Sequence, residues 1–182
     1  MSRFLTLFSL ILCFSCFILC FSSESHAVSV CYVTDGNTFL TCDGRKIVLS
    51  GVEAPSLSKP YGSASRDYLL QLIQNKDVTL RCPSSGQLPT YPGTTITYTS
   101  GTCYALRILT VYNGGVAQTY RSYVPCEDLL TSTEPQVCGV STGPIDVVNA
   151  MVSQGWAMDV SGQYASSQKF ARSLRLGLWH GN

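Results

Sequence analysis

The sequence predicts an α+β domain, mainly β, and three observations carry that expectation. Turn signals recur between short apolar runs: Asp35-Gly36-Asn37, Asp43-Gly44 and Asn113-Gly114. Gly and Asn tolerate the positive φ that tight hairpins need. Lys46 to Ser50 alternates, with Ile47 and Leu49 toward one face and Lys46, Val48 and Ser50 toward the other. Between Gly62 and Asn75 the period becomes helical: Ala64, Tyr68, Leu69, Leu72 and Ile73 make one apolar stripe, with Ser63 placed to cap it.

Taken in order, residues 1–27 read as an export signal. Arg3 precedes an apolar run from Phe4 to Phe21, and Ser25-His26-Ala27 supplies small residues where a signal peptidase reads. The run is long enough that an uncleaved membrane anchor is the alternative. The mature chain, 28–182, is expected to be one domain. It keeps six cysteines: Cys31, Cys42, Cys82, Cys103, Cys126 and Cys138. An even count in an exported chain points to disulfides, and neighbour pairing is the simplest framework: Cys31–Cys42, Cys82–Cys103 and Cys126–Cys138. Cys31 and Cys42 are equidistant from the first turn, so they face each other across a hairpin. A zinc site would need Cys-x-x-Cys or histidines. The mature chain has no such pair and only His180.

Cys31 to Leu49 should form three short strands, which Val52-Glu53-Ala54-Pro55 leaves. After the helix comes a strand over Asp77 to Arg81. Pro83 to Thr102 carries no charge and is rich in Ser, Thr, Pro, Gly and Tyr. It reads as a surface loop with a short strand at Thr95–Thr99, and Tyr91 and Tyr98 are its candidate contact anchors. Cys103–Tyr112 and Val116–Val124 make a hairpin around Asn113-Gly114, and Pro125 to Gly143 reads as a loop. Asp146 caps a helix through Gln154, which Gly155 ends.

Composition narrows the function classes. Only 13% of residues are charged and the net charge is +1. A chain that grips a phosphate backbone usually shows a basic surplus, and none is visible.

Four segments together resemble the staphylococcal nuclease-like (thermonuclease) family. They are Asp35-Gly36-Asn37-Thr38; Lys46-Ile47-Val48-Leu49; Gly51-Val52-Glu53-Ala54-Pro55-Ser56; and Val152-Ser153-Gln154-Gly155-Trp156-Ala157 with the later Gly177-Leu178-Trp179. The resemblance implies a five-stranded OB-type barrel with about three helices. Two disulfide-bracketed insertions, at 83–102 and 116–143, would be additions to it. It also implies a chemistry: calcium, two arginines and a glutamate acting on a phosphodiester. The matching positions here are Val48 for the first arginine, Ser56 for the glutamate, and Leu106 or Thr102 for the second arginine. None carries the needed group. Asn37 and Glu53 retain oxygens at the calcium positions, so calcium is possible but not required. Asp35 and Asn37 also read as plain turn chemistry.

Losing one preorganised donor costs about 10²–10³ in rate, and losing a general base about 10²–10⁴. The expectation is therefore an exported nuclease-like domain that has lost catalysis and acts as a binding or assembly module on an envelope or extracellular protein. The alternatives are a residual calcium-dependent nuclease and a single-stranded nucleic-acid binder, the latter without support from charge. A membrane enters only if residues 1–27 stay uncleaved.

Overall fold

The structure is a computed structural model that describes residues 27–83, 94–99, 102–113, 116–132 and 134–181. The export segment up to residue 26, Tyr91 and Gly114 lie outside the described residues. The architecture is mixed, with most of its elements strands and four α-helices among the described residues.

The first strands follow the turn signals. β1 (Ala27–Val28) and β2 (Val30–Val33) are separated only by Ser29; β3 (Thr38–Thr41) and β4 (Lys46–Leu49) complete an antiparallel meander. In β4, Ile47 and Leu49 are buried while Lys46 and Val48 are half-buried, as the alternation requires. Gly44 has a φ of 89°, so the second turn does need a glycine. After β5 (Val52–Glu53), helix α1 spans Gly62–Ile73. Its N-cap is Tyr61 in the left-handed region, with no side-chain cap bond, rather than Ser63. Leu69 and Ile73 are fully buried as the stripe predicts, together with Ser65.

The middle of the chain departs from the sequence reading. β6 (Val78–Arg81) is followed by β7 (Thr94–Thr99), β8 (Thr102–Asn113) and β9 (Val116–Pro125), which form a separate three-stranded antiparallel sheet. Pro125 to Gly143 is not a loop. It contains helix α2 (Cys126–Ser132) and strand β10 (Gln136–Thr142). β10 belongs to the main sheet, whose order is β1-β6-β10-β4-β3-β2. It runs parallel to β4 and antiparallel to β6. No ladder joins β1 to β2, so among the described residues this sheet is not closed. β11 (Ile145–Asp146) pairs with β10, and β12 (Met158–Asp159) pairs with β5.

The C-terminal part packs over the meander. Helix α3 (Val147–Ser153) is capped by Asp146, whose carboxylate accepts from the Asn149 N–H at 3.0 Å. Gly155 has a φ of 73°, and a Cβ there would strike the Leu176 carbonyl. Helix α4 (Ala165–Ser173) then leads to a 3₁₀ turn at Gly177–Trp179, where the Leu178 N–H donates to the Gly155 carbonyl at 2.8 Å. Gln168 accepts from the Asp159 N–H at 2.9 Å, tying α4 to β12.

Two apolar clusters hold this together. The larger joins Phe39, Ile47 and Leu49 to Leu69, Ile73, Val140 and Met151. The smaller packs Leu40 against Cys103, Ala105, Cys126, Leu129 and Leu130, and so seats the three-stranded sheet and α2 on the meander. Lys46 adds a polar link, its Nζ donating to the Leu130 carbonyl at 3.0 Å.

All six cysteines are bridged, but two of the three pairs differ from neighbour pairing. Cys31–Cys42 spans the hairpin as expected. Cys82 pairs with Cys138, not Cys103, and Cys103 pairs with Cys126. The reason is the sheet order: Arg81 lies opposite Gly139, so the β6–β10 ladder brings Cys82 against Cys138. Three disulfides fit an oxidising compartment. Among the described residues no helix is long and apolar enough to cross a membrane.

The second turn also sets an acid sensitivity. Burial opposes ionisation of Asp43, yet the hydrogen bonds from Arg45 and Thr41 and the Arg45 charge outweigh it and hold the carboxyl below its ordinary value. The Arg45–Asp43 ion pair is 2.7 Å long. A carboxyl lowered in the folded state stabilises the fold above its unfolded pKa and loses that contribution as pH falls below about 4. Urea midpoints measured from pH 5 downward should therefore drop, and Asp43→Asn should flatten the drop while lowering the midpoint at pH 7.

Candidate functional site

The site implied by the family-like motifs gathers around the first turn, β4, β5 and the loop after it. Asn37 sits at its centre, and its groups are spent locally. Its N–H donates to Asp35 Oδ1 at 2.9 Å, closing an Asx turn. Its amide oxygen accepts from the Thr38 hydroxyl at 2.9 Å, and its amide nitrogen donates to the Val52 carbonyl at 3.4 Å. The Asn37 carbonyl accepts from the Leu49 N–H at 2.8 Å, which locks the turn to the end of β4.

Gly36 is required here for a reason other than φ. It is not among the positive-φ glycines. It lies against Ser65 of α1 and Ala54, and a Cβ on it would collide with the Ser65 hydroxyl and come within 2.8 Å of the Ala54 methyl. Ser65 in turn donates to the Trp156 carbonyl at 2.6 Å. The turn is thus pressed onto α1 and onto the segment that follows α3.

The other positions divide. Val48 lies opposite Thr38 on β3 and Val137 on β10. It is half-buried, and Val137 is 49% exposed, so an apolar pair occupies this face. Glu53 is exposed and lies opposite Met158, and its carboxylate has no hydrogen-bond or ion-pair partner among the described residues. Ser56 is exposed, its hydroxyl 3.2 Å from that of Ser58. Leu106 and Thr102 are not in this site at all. Both lie on β8, opposite Tyr123 (Leu106) and Thr99 (Thr102), in the three-stranded sheet. Arg107 and Tyr98 sit in that sheet too, the latter opposite Cys103. The strand on the other side of β4 from β3 is β10, a segment that reads as loop in the sequence.

The groups around this turn are largely engaged with one another. Lys46, on the same face as Val48, is committed to the Leu130 carbonyl. Among the described residues no group of three His, Cys, Asp or Glu side chains could hold a metal ion. With the Asn37 oxygen and Asp35 Oδ1 both accepting internal hydrogen bonds, Glu53 is left nearly alone, well short of the six to eight oxygens calcium takes. The residues present do not fit that ion.

The structure adds residues the sequence did not single out. Tyr120 and Tyr123 on β9 are 56% and 69% exposed, and Tyr104 on β8 is 40% exposed. Tyr104, Tyr123 and Arg121 share one face of this sheet, because Tyr104 lies opposite Pro125, Leu106 opposite Tyr123 and Ile108 opposite Arg121. The opposite face carries Ala105, fully buried in the smaller cluster. Their alternation was visible in the sequence; which face would be covered was not.

Compared with models of known protein families and with curated proteins, the chain matches none.

Proposed function

We propose that the chain is an exported, disulfide-stapled module of the nuclease-like kind that binds an envelope or extracellular protein and does not cleave nucleic acid. The observation that carries this reading is the Val48–Val137 pair. Where phosphodiester cleavage in such a domain needs guanidinium groups converging on a phosphate, this face presents two valines. Ser56 offers a hydroxyl where a general base would stand.

The five-stranded OB-type barrel is part of the proposal, and the strand order supports it. The sheet path begins at β1 and ends at β2, which are consecutive in the chain and separated by one residue. Taken as one bent strand over residues 27–33, they would make the path return on itself, with a single parallel pair between β4 and β10. On this reading the addition to the barrel runs from about residue 83 to residue 135, and β10 is a barrel strand.

A protein partner is favoured over nucleic acid by the low charge and by the exposed tyrosines with Arg121. Tyr and Arg are the residue types that anchor protein interfaces, and a single arginine among the described residues of this face supplies little of the counterion release that drives nucleic-acid binding. The test is a cleavage assay on single- and double-stranded DNA and on RNA with Ca²⁺. The expected result is a background rate, identical for Glu53→Ala. Metal-dependent cleavage that Glu53→Ala abolishes would establish the nuclease instead.

A further inference from the structure

Away from the turn, on the outward side of the main sheet, a groove of about 520 Å³ opens between β6, β10 and the start of α4. One row of residues crosses its floor. The Ser50 N–H donates to the Cys138 carbonyl at 3.0 Å, which sets Ser50 level with Gly139, and Gly139 lies opposite Arg81. Ser141 continues the lining one step along β10, and Asp146 and Tyr164 form the far wall.

The polar groups on the two walls differ in what they lack. The Asp146 carboxylate already accepts from the Asn149 N–H at 3.0 Å, and the Tyr164 hydroxyl accepts from the Gln163 side-chain N–H at 3.3 Å. The Arg81 side chain is exposed and has no hydrogen-bond or ion-pair partner among the described residues. Its guanidinium is a planar fork of donors that matches a carboxylate or phosphate. A phosphate, with more negative charge, would meet a single arginine and the Asp146 carboxylate across the groove. A carboxylate carries one charge and fits that balance better. Gly139 has no side chain to fill the floor, so a ring can lie on the backbone there, with the Ser50, Ser141 and Tyr164 hydroxyls around it to serve its own hydroxyl groups.

We propose that this groove binds a sugar acid, its carboxylate held by Arg81 and its hydroxyls by Ser50, Ser141 and Tyr164. The groove lies one row along the same sheet face from the Val48–Val137 pair, and the inference does not depend on whether the protein cleaves nucleic acid.

The test is a ¹H–¹⁵N NMR titration of the oxidised protein, purified from an exporting host, with sodium glucuronate. Glucose, acetate and a short acidic peptide serve as the comparison probes. The expected result is saturable shifts of the Ser50, Gly139 and Ser141 amides, with a dissociation constant of about 1 mM. Glucose and acetate should each bind more weakly. Arg81→Ala should weaken glucuronate about tenfold or more, since it removes a charge-assisted pair. Gly139→Val should abolish binding without unfolding the protein, because a Cβ there meets the Arg81 backbone oxygen only at 3.7 Å, an ordinary contact. Absence of saturable shifts would overturn the proposal. So would equal binding by glucose or acetate, tighter binding by the peptide, or unchanged affinity in both variants.

Discussion

Replacing Cys82 and Cys138 together by alanine will lower the unfolding free energy by about 4 kcal/mol, the largest effect expected of any bridge here. The pair is separated by 56 residues, against 23 for Cys103–Cys126 and 11 for Cys31–Cys42. In the chain-entropy account the constraint on the unfolded chain grows with the logarithm of loop length, which gives the ranking about 4, 3.5 and 3 kcal/mol. The site of the bridge sharpens the expectation. Cys138 is fully buried in the larger cluster, at the point where β10 lies between β4 and β6. Both ladders that hold β10 in the sheet adjoin that residue. Denaturant melts of the three double variants, compared under oxidising conditions, check this. A Cys103–Cys126 variant less stable than the Cys82–Cys138 variant would show that the three-stranded sheet, not β10, is the keystone.

Gly36→Ala is the second large effect, a loss of about 3 kcal/mol. Overpacking usually costs 1–3 kcal/mol, and here the added methyl meets two neighbours at once. Ser65 is buried in α1 and fixed by its bond to the Trp156 carbonyl, so its hydroxyl cannot swing clear without losing that bond. Ala54 closes the other side. Ser65→Gly relieves the contact with its side chain at a cost of its own, about 0.5 kcal/mol of helix propensity together with the bond to the Trp156 carbonyl. The double variant should therefore be less destabilised than the two singles summed, and thermal melts of the four proteins measure the coupling. Strict additivity would mean that the turn does not press on α1 as described.

What the sequence revealed and what it hid follow from the range of the interactions. The meander was legible because its signals are local: glycines and asparagine at the turns, period-two alternation in β4, and two cysteines spaced symmetrically about one turn. The cap at Asp146 and the stop at Gly155 were legible for the same reason. Ser63 does not cap the helix because the helix starts one residue before it, at Gly62, with Tyr61 in the left-handed region as N-cap; Gly62 is itself held by packing, since a Cβ there would strike the Ser56 carbonyl. β10 was missed because Gln-Val-Cys-Gly-Val-Ser-Thr is short, carries a glycine and two hydroxyl residues, and is held in place by strands far away in the chain. Losing β10 from view misplaced everything that depends on it. It sent Cys82 to Cys103, and it put Leu106 and Thr102 beside Val48 in place of Val137. The role of Gly36 was half visible, since a glycine was expected at that turn for its φ, whereas the close approach of Ser65 requires it.

The proposed loss of catalysis requires that the first turn, Val48 with Val137, and Glu53 bind neither calcium nor a phosphate. The most direct measurement is a ¹H–¹⁵N NMR titration with CaCl₂ followed by a single-stranded oligonucleotide, read at the amides of Asn37, Thr38, Val48 and Glu53. No saturable shift is expected at these residues in either step. Saturable, calcium-dependent shifts at Asn37 and Glu53, deepened by the oligonucleotide, would contradict it.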